Sequence, residues 1–260
     1  MVNKWKVTHV DNPNTGESDL VETYEGLVSI GQTTKQKYLG FIISSKGNNM
    51  DNINQMKNKS IGIIRKIFNR LDGLNLQKYY FESGMIFLNV MLRSSILYAC
   101  ETYYNMKEVE LRQLERIEEG FLRKLLKTSK GCPIVQLYLE TGHTPARFEI
   151  MKIRLLFLKV ILQDKPESLI YKFLQLQFEH PTKGDWASTC VKDLKELKID
   201  LSLEEIKIIS KPKYQKLLKS AISIKALEYL LDKQGRKDSD MKYTHLQKKN
   251  FQLKNYFQLK

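Results

Sequence analysis

Lys37-Tyr38-Leu39-Gly40-Phe41-Ile42-Ile43 runs through Ser44-Ser45-Lys46-Gly47 to Met50, and there the hydrophobic period changes. Before Lys46 the apolar residues come in short, β-favouring runs: Trp5 and Val7 within residues 4–10, Val21 to Ile30 within 20–30, and Tyr38 to Ile43. Turn clusters such as Asp11-Asn12-Pro13-Asn14-Thr15-Gly16 separate them, so the spacing predicts three short strands. From Met50 the period is helical: Ile53, Met56, Ile63, Ile64, Ile67, Phe68 and Leu71 recur at steps of three and four. Asn49 or Asp51 is the expected N-cap of this first helix and Gly73 its stop. Three short strands bury too little on their own and need a helix or another sheet over one face.

The same period continues downstream. A second helix is expected over about 76–99. It is apolar on several sides (Tyr80, Met85, Ile86, Phe87, Val90, Leu92, Ile96), which marks it as the central buried helix. A third is expected over 107–127, with Leu114, Ile117, Phe121 and Leu125 inward and Glu108–Arg112 and Glu119–Arg123 as outer i,i+4 pairs. Ser129-Lys130-Gly131-Cys132-Pro133 breaks the chain. Further helices follow from Pro133 to Gly142, from Pro145 to Leu162, and over about 166–178, 185–197, 203–209, 213–233 and 241–258. The fold class read from this pattern is mainly α with a small N-terminal antiparallel β region. The expected division is 1–48, a β region; 49–131, a three-helix bundle; and 132–260, a further helical domain.

Composition agrees with a folded helical chain. Of 260 residues 42% are hydrophobic, with only 13 Gly and 6 Pro. The net charge of +14 is uneven. Residues 1–47 are neutral, 48–131 carry +5, 132–200 carry +1 and 201–260 carry +8. Clustered Lys and Arg point to a polyanion, because they release counterions from phosphate backbones; a lysine-rich solvated surface is the bland reading of the same charge. Cys100, Cys132 and Cys190 are too few and too scattered for a disulfide framework, and no C-x-x-C or close His pair suggests zinc. Reduced thiols predict an intracellular protein of cytoplasm or nucleus. No apolar run reaches membrane-spanning length, and Met1 to Lys6 opens no signal peptide, so no membrane partner is expected.

On the first helix, Lys59, Lys66 and Arg70 fall within roughly 20° of one line, about a quarter turn from the apolar face. Such a helix can bury one side and lay three cations along a duplex; a solvated basic stripe is the alternative. Tyr79-Tyr80-Phe81 and Tyr103-Tyr104 can stack on bases, although periodic aromatics are more often core. Glu140, Gly142, His143 and Thr144 read as a helix-end turn rather than a polar site. Cys132 has no His or Asn partner for nucleophilic chemistry. Neither a phosphate-binding G-x-x-x-x-G-K-S/T loop nor a G-x-G-x-x-G occurs.

Taken in order, Lys37-Tyr38-Leu39-Gly40, the basic helices and Leu97-Tyr98-Ala99-Cys100-Glu101-Thr102 resemble reverse transcriptases of LINE-type (non-LTR) retrotransposons, from the end of the palm through the thumb. Asn3-Lys4-Trp5-Lys6-Val7-Thr8 is similar to the family's N-K-x-K-T segment, with Lys6 at the lysine position and Trp5 departing from the pattern. Leu137-Tyr138-Leu139-Glu140-Thr141-Gly142 and Pro145 resemble the segment after the thumb. The resemblance covers most of residues 1–200. It implies that Tyr38, Leu39 and Gly40 form the primer grip, that the helices of 50–127 form the thumb, and that Lys59, Lys66 and Arg70 hold the template–primer backbone. The partners it implies are RNA, DNA or an RNA–DNA hybrid.

The departures bear on activity. The family's RNA-directed DNA polymerase chemistry uses Mg²⁺ held by paired aspartates that precede the primer grip. No Asp-Asp dipeptide occurs in this sequence, so no cofactor is expected and the chain reads as a truncated product, inactive alone as a polymerase. Nor does it show the family's zinc knuckle or nuclease. The expected function is non-specific nucleic-acid binding through phosphates. The alternative is a helical protein-interaction scaffold with no nucleic-acid activity, binding a partner through surface that a palm would otherwise cover.

Overall fold

The computed structural model describes residues 19–23, 26–30, 34–38, 40–44, 49–73, 79–182 and 184–235. The expected strand at 4–10, the residues matching N-K-x-K-T, Leu39 and the expected helix at 241–258 lie outside them. The described chain is mainly helical with small antiparallel hairpins at its N-terminal end. It divides into two compact units, residues 1–55 and 56–260, split within the first helix.

In the first unit the β region is two hairpins rather than three single strands. β1 (Asp19–Thr23) pairs antiparallel with β2 (Gly26–Ile30), and β3 (Lys35–Tyr38) with β4 (Phe41–Ser44). The expected strand over Tyr38 to Ile43 is therefore corrected: the chain reverses between β3 and β4, bringing Tyr38 opposite Phe41. Gly40 has φ +88°, a conformation L-residues avoid, which is why a tight turn can sit inside a β-favouring run. α1 (Met50–Gly73) begins where Asn49 offers its carbonyl to Ile53 N. Its first turns hold the β3–β4 hairpin. The Asn52 side chain reads both polar groups of Ile42, accepting from its N–H at 2.6 Å and donating to its carbonyl at 2.7 Å, as a neighbouring strand would. Gln55 donates to the Gly40 carbonyl at 2.8 Å, and Lys35 pairs with Asp51 at 3.0 Å.

The second unit is built around α6 (Ala146–Leu162), which packs on α4 (Glu108–Leu125), α7 (Leu169–Glu179), α8 (Trp186–Glu196), α9 (Leu203–Ile208) and α10 (Lys211–Gly235). Residues 79–102 include α2 (Tyr80–Phe87), a π-helical turn over Leu88–Arg93, α3 (Ser94–Ile96) and a 3₁₀ turn over Cys100–Thr102 that rests on α6. α5 (Ile134–Thr141) ends at Gly142, whose φ of +62° closes the helix.

This arrangement corrects the expected central helix. In α2 through α3 only the line Gly84, Leu88, Leu92, Ile96 is buried, while Ile86 and Val90 are 60% and 65% exposed. Gly84 lies so close to Leu125 of α4 that a Cβ there would come within 2.2 Å of a leucine methyl. The all-round apolar composition thus exceeds what one neighbouring helix covers. α6 has neighbours on several sides and buries Phe148, Ile150, Leu155, Leu158 and Ile161, each such side chain contributing about 1.5–3 kcal/mol. The Phe68 ring of α1 meets Phe121 of α4 at 5.1 Å, and the Tyr103 hydroxyl reaches Met56 Sδ at 3.4 Å. Tyr103 is a core residue and no stacking platform for a base.

Candidate nucleic-acid interface

α1 buries Met56, Ile67, Phe68 and Leu71 and turns a basic side outward. Lys57, Lys59, Arg65, Lys66 and Arg70 are all exposed, and no carboxylate occurs on the helix between Asp51 and Asp72. Lys59, Lys66 and Arg70 share one line, as their spacing requires, spanning about 16 Å at 1.5 Å per residue. Gly62 lies between Lys59 and Lys66 with open space where a Cβ would be. None of the five cations pairs with a carboxylate among the described residues. Tyr38 and Gly40, the other residues assigned to nucleic acid, lie at the turn of the β3–β4 hairpin in the first unit.

The unpaired state of α1 contrasts with α4, where charges are consumed internally. The outer i,i+4 pairs expected on α4 are replaced by other connections. Arg112 bonds Glu115 at 2.6 Å and reaches Glu119 at 3.3 Å. Arg147 of α6 holds Glu115 and, at 2.7 and 3.0 Å, both oxygens of Glu108. Arg123 donates instead to the carbonyls of Ser129 and Cys132 at 2.9 and 2.8 Å, tying the break after α4. Glu118, fully buried, accepts from Arg93 Nε at 2.8 Å.

The turn at Gly142-His143-Thr144 is structural, as expected for a helix end. His143 is buried with Nε2 3.4 Å from Glu118, its ring parallel to that of Tyr138. Burial, and then the Arg93 guanidinium, lower the His143 pKa, with Glu118 opposing. The unfolded chain therefore takes up a proton near pH 6.5 that the folded chain refuses, and stability falls as pH drops below about 6.5. Asp193, raised to about 6 by burial against the pull of Arg154, works in the opposite sense, gaining stability as pH falls between about 4 and 6. His143→Gln is expected to remove the His143 part alone. Urea midpoints of the variant and the parent should converge as pH falls from about 7 to 5; parallel midpoints would rule out a depressed histidine.

Cys100 and Cys190 are buried, and burial raises the Cys100 thiol to about 12, so neither is a nucleophile at neutral pH. Among the described residues no three His, Cys, Asp or Glu side chains come together as a metal site needs. No described helix is long and apolar enough to cross a membrane. Two residues that matter for the site went unread in the sequence. Asn52 and Gln55 fasten the Tyr38–Gly40 hairpin to α1, and the signal available was two amides on the first helical turns where apolar residues were sought. Compared with family models, curated proteins and solved structures, the chain matches none.

Proposed function

We propose that the chain binds nucleic acid without sequence preference, laying α1 along a phosphate backbone in the manner of a reverse-transcriptase thumb of the LINE type. The observation that carries this reading is the set of five exposed cations on α1 with no carboxylate partner among the described residues. Charges that a fold needs for itself are paired, as on α4; a row left unpaired on a rigid helix is repulsive in isolation and is relieved by a polyanion. Lys59, Lys66 and Arg70 are point and fork donors suited to phosphate oxygens, which position a strand without reading bases. No exposed aromatic lies between them on α1, which favours backbone contact over base stacking. The reading is of binding and not of polymerisation, since the resemblance places the polymerase's metal ligands on an Asp-Asp pair and the sequence has no Asp-Asp dipeptide.

Replacing Lys59, Lys66 and Arg70 together by Ala is expected to weaken binding to an RNA–DNA hybrid and to make its log K against log salt slope shallower by about 1 per lost contact. Fluorescence anisotropy across a salt series reads both. An unchanged slope in the folded triple variant would move the interface off α1.

A second reading, a protein-interaction scaffold, is favoured by α7, where Leu169, Phe173 and Leu176 are 85%, 59% and 53% exposed. Salt-insensitive binding to a protein, with no affinity for duplex, would select it.

A further inference from the structure

α10 carries an exposed face that is complementary to itself. One side of the helix buries Tyr214, Leu218, Ile222, Ala226 and Leu230 against the core. The other presents Lys213, Leu217, Ser220, Ala221, Ile224 and Glu228, all within about 60° of one line. Leu217 is 37% and Ile224 62% exposed. Beside this face lies a groove of about 600 Å³, whose opposite wall is the 196–201 connection between α8 and α9. Its apolar lining includes Leu197, Ile199 and Leu201.

The sequence along the outer face is symmetric about the point between Ser220 and Ala221. In an antiparallel pair of α10 helices centred there, Leu217 meets Ile224 of the other copy, Lys213 meets Glu228, and the small Ser220 and Ala221 allow close approach at the centre. Charge on the groove walls has the same property. The 196–201 wall carries Glu196 and Asp200, and α10 carries Lys213 and Lys216, none of which forms an ion pair among the described residues. Only Lys198 crosses, reaching Glu228 at 3.4 Å, and Glu228 also takes Lys225 at 3.6 Å. Lys225 would face Lys216 of the second copy, and Glu228 offsets that contact.

We propose that the occupant of this groove is a second copy of the chain. Each α10 lies between its partner's α10 and its partner's 196–201 wall. Glu196 and Asp200 of each copy then meet Lys213 and Lys216 of the other, and both pairs form twice under one two-fold axis. The patch holds four Lys against three carboxylates on a chain of net charge +14, so it is nearly neutral on a surface that otherwise repels its copies.

Sedimentation velocity of the full chain over a concentration series tests this with two charge-reversed variants, K213E/K216E and E196K/D200K. Wild type is expected to form dimers. Each variant alone puts like charges on both contacts and should stay monomeric at concentrations where wild type is dimeric. An equimolar mixture of the two restores opposite charges between each 196–201 wall and the α10 that faces it, and should dimerise again. A wild type that stays monomeric throughout, variants that still dimerise, or a mixture that associates no better than its components would each overturn the proposal. Far-UV circular dichroism on each variant confirms that folding is retained, which surface positions permit.

Discussion

Arg93→Met is expected to lower stability by about 3–5 kcal/mol, the cost of leaving one partner of a buried charge pair alone. The Glu118 side chain is wholly excluded from solvent and takes its charge-assisted hydrogen bond from Arg93 Nε at 2.8 Å. The same guanidinium donates to the Thr144 carbonyl and lies 3.7 Å from Glu149. One side chain thus joins the π-helical turn, α4, the α5–α6 turn and α6. Methionine keeps the apolar stem but strands the carboxylate, whose second oxygen already has no hydrogen-bond donor. Glu118 is now held below the usual carboxylate range by Arg93 and His143 against the cost of burial. In the variant the Arg93 part of that support is gone and the folded protein should take up a proton on Glu118 at a higher pH. Urea denaturation is the measurement. At 2–4 °C per kcal/mol the thermal midpoint should fall by about 10 °C. A loss under about 1 kcal/mol would mean the pair contributes no more than a surface bridge. Arg93→Met combined with Glu118→Met should recover part of the loss, because both charges then leave the interior.

Lys159→Met is expected to have an effect of similar size, by a different route. Lys159 is 2% exposed, yet its ammonium is satisfied. It donates to the carbonyls of Ile206 at 2.6 Å, Ile209 at 2.5 Å and Lys207 at 3.3 Å, and stands 5.7 Å from the centre of the Tyr214 ring. Those carbonyls belong to the end of α9, where the last turn of a helix has no intrahelical donors and a partial negative charge. A six-residue helix has little stability of its own; Ser202 caps its start and Lys159 caps its end. With methionine the stem is conserved and the carbonyls lose their donor, at about 1–3 kcal/mol for each one left buried. Hydrogen exchange should therefore show α9 opening first, with α4 and α6 still protected. Uniform protection across α9 and α6 in the variant would refute the capping role.

Both residues show where sequence reading stops. Lys159 sits in a stretch whose apolar residues correctly announced a helix from Pro145 to Leu162, and Arg93 flanks an apolar run that announced another. Periodicity reports that a side chain faces inward on average and is silent on a buried cation whose partners lie 25 or more residues away. The reversal at Gly40 escapes the sequence for a local reason. Its flanks favour strand so strongly that a single glycine was read through, and only pairing of Tyr38 with Phe41 reveals the reversal. The candidate interface was more legible. Lys59, Lys66 and Arg70 share a line because an α-helix turns by a fixed angle, and nothing distant was needed to place them together. That they are unpaired was not legible, since the partners of a charge depend on what packs beside it, as Arg112 and Arg147 show.

From the sequence alone came the helical class, the small β region, most helix boundaries and the basic line on α1, all consequences of short-range periodicity, turn chemistry and fixed helical geometry. The tertiary structure alone decided that α6 and not the helix beginning at Tyr80 is central. It also decided that α4 spends its charges internally and that Asn52 and Gln55 hold a hairpin. The physical reason is common to all three: burial and pairing depend on which neighbours arrive, and the chain's local pattern carries no record of them.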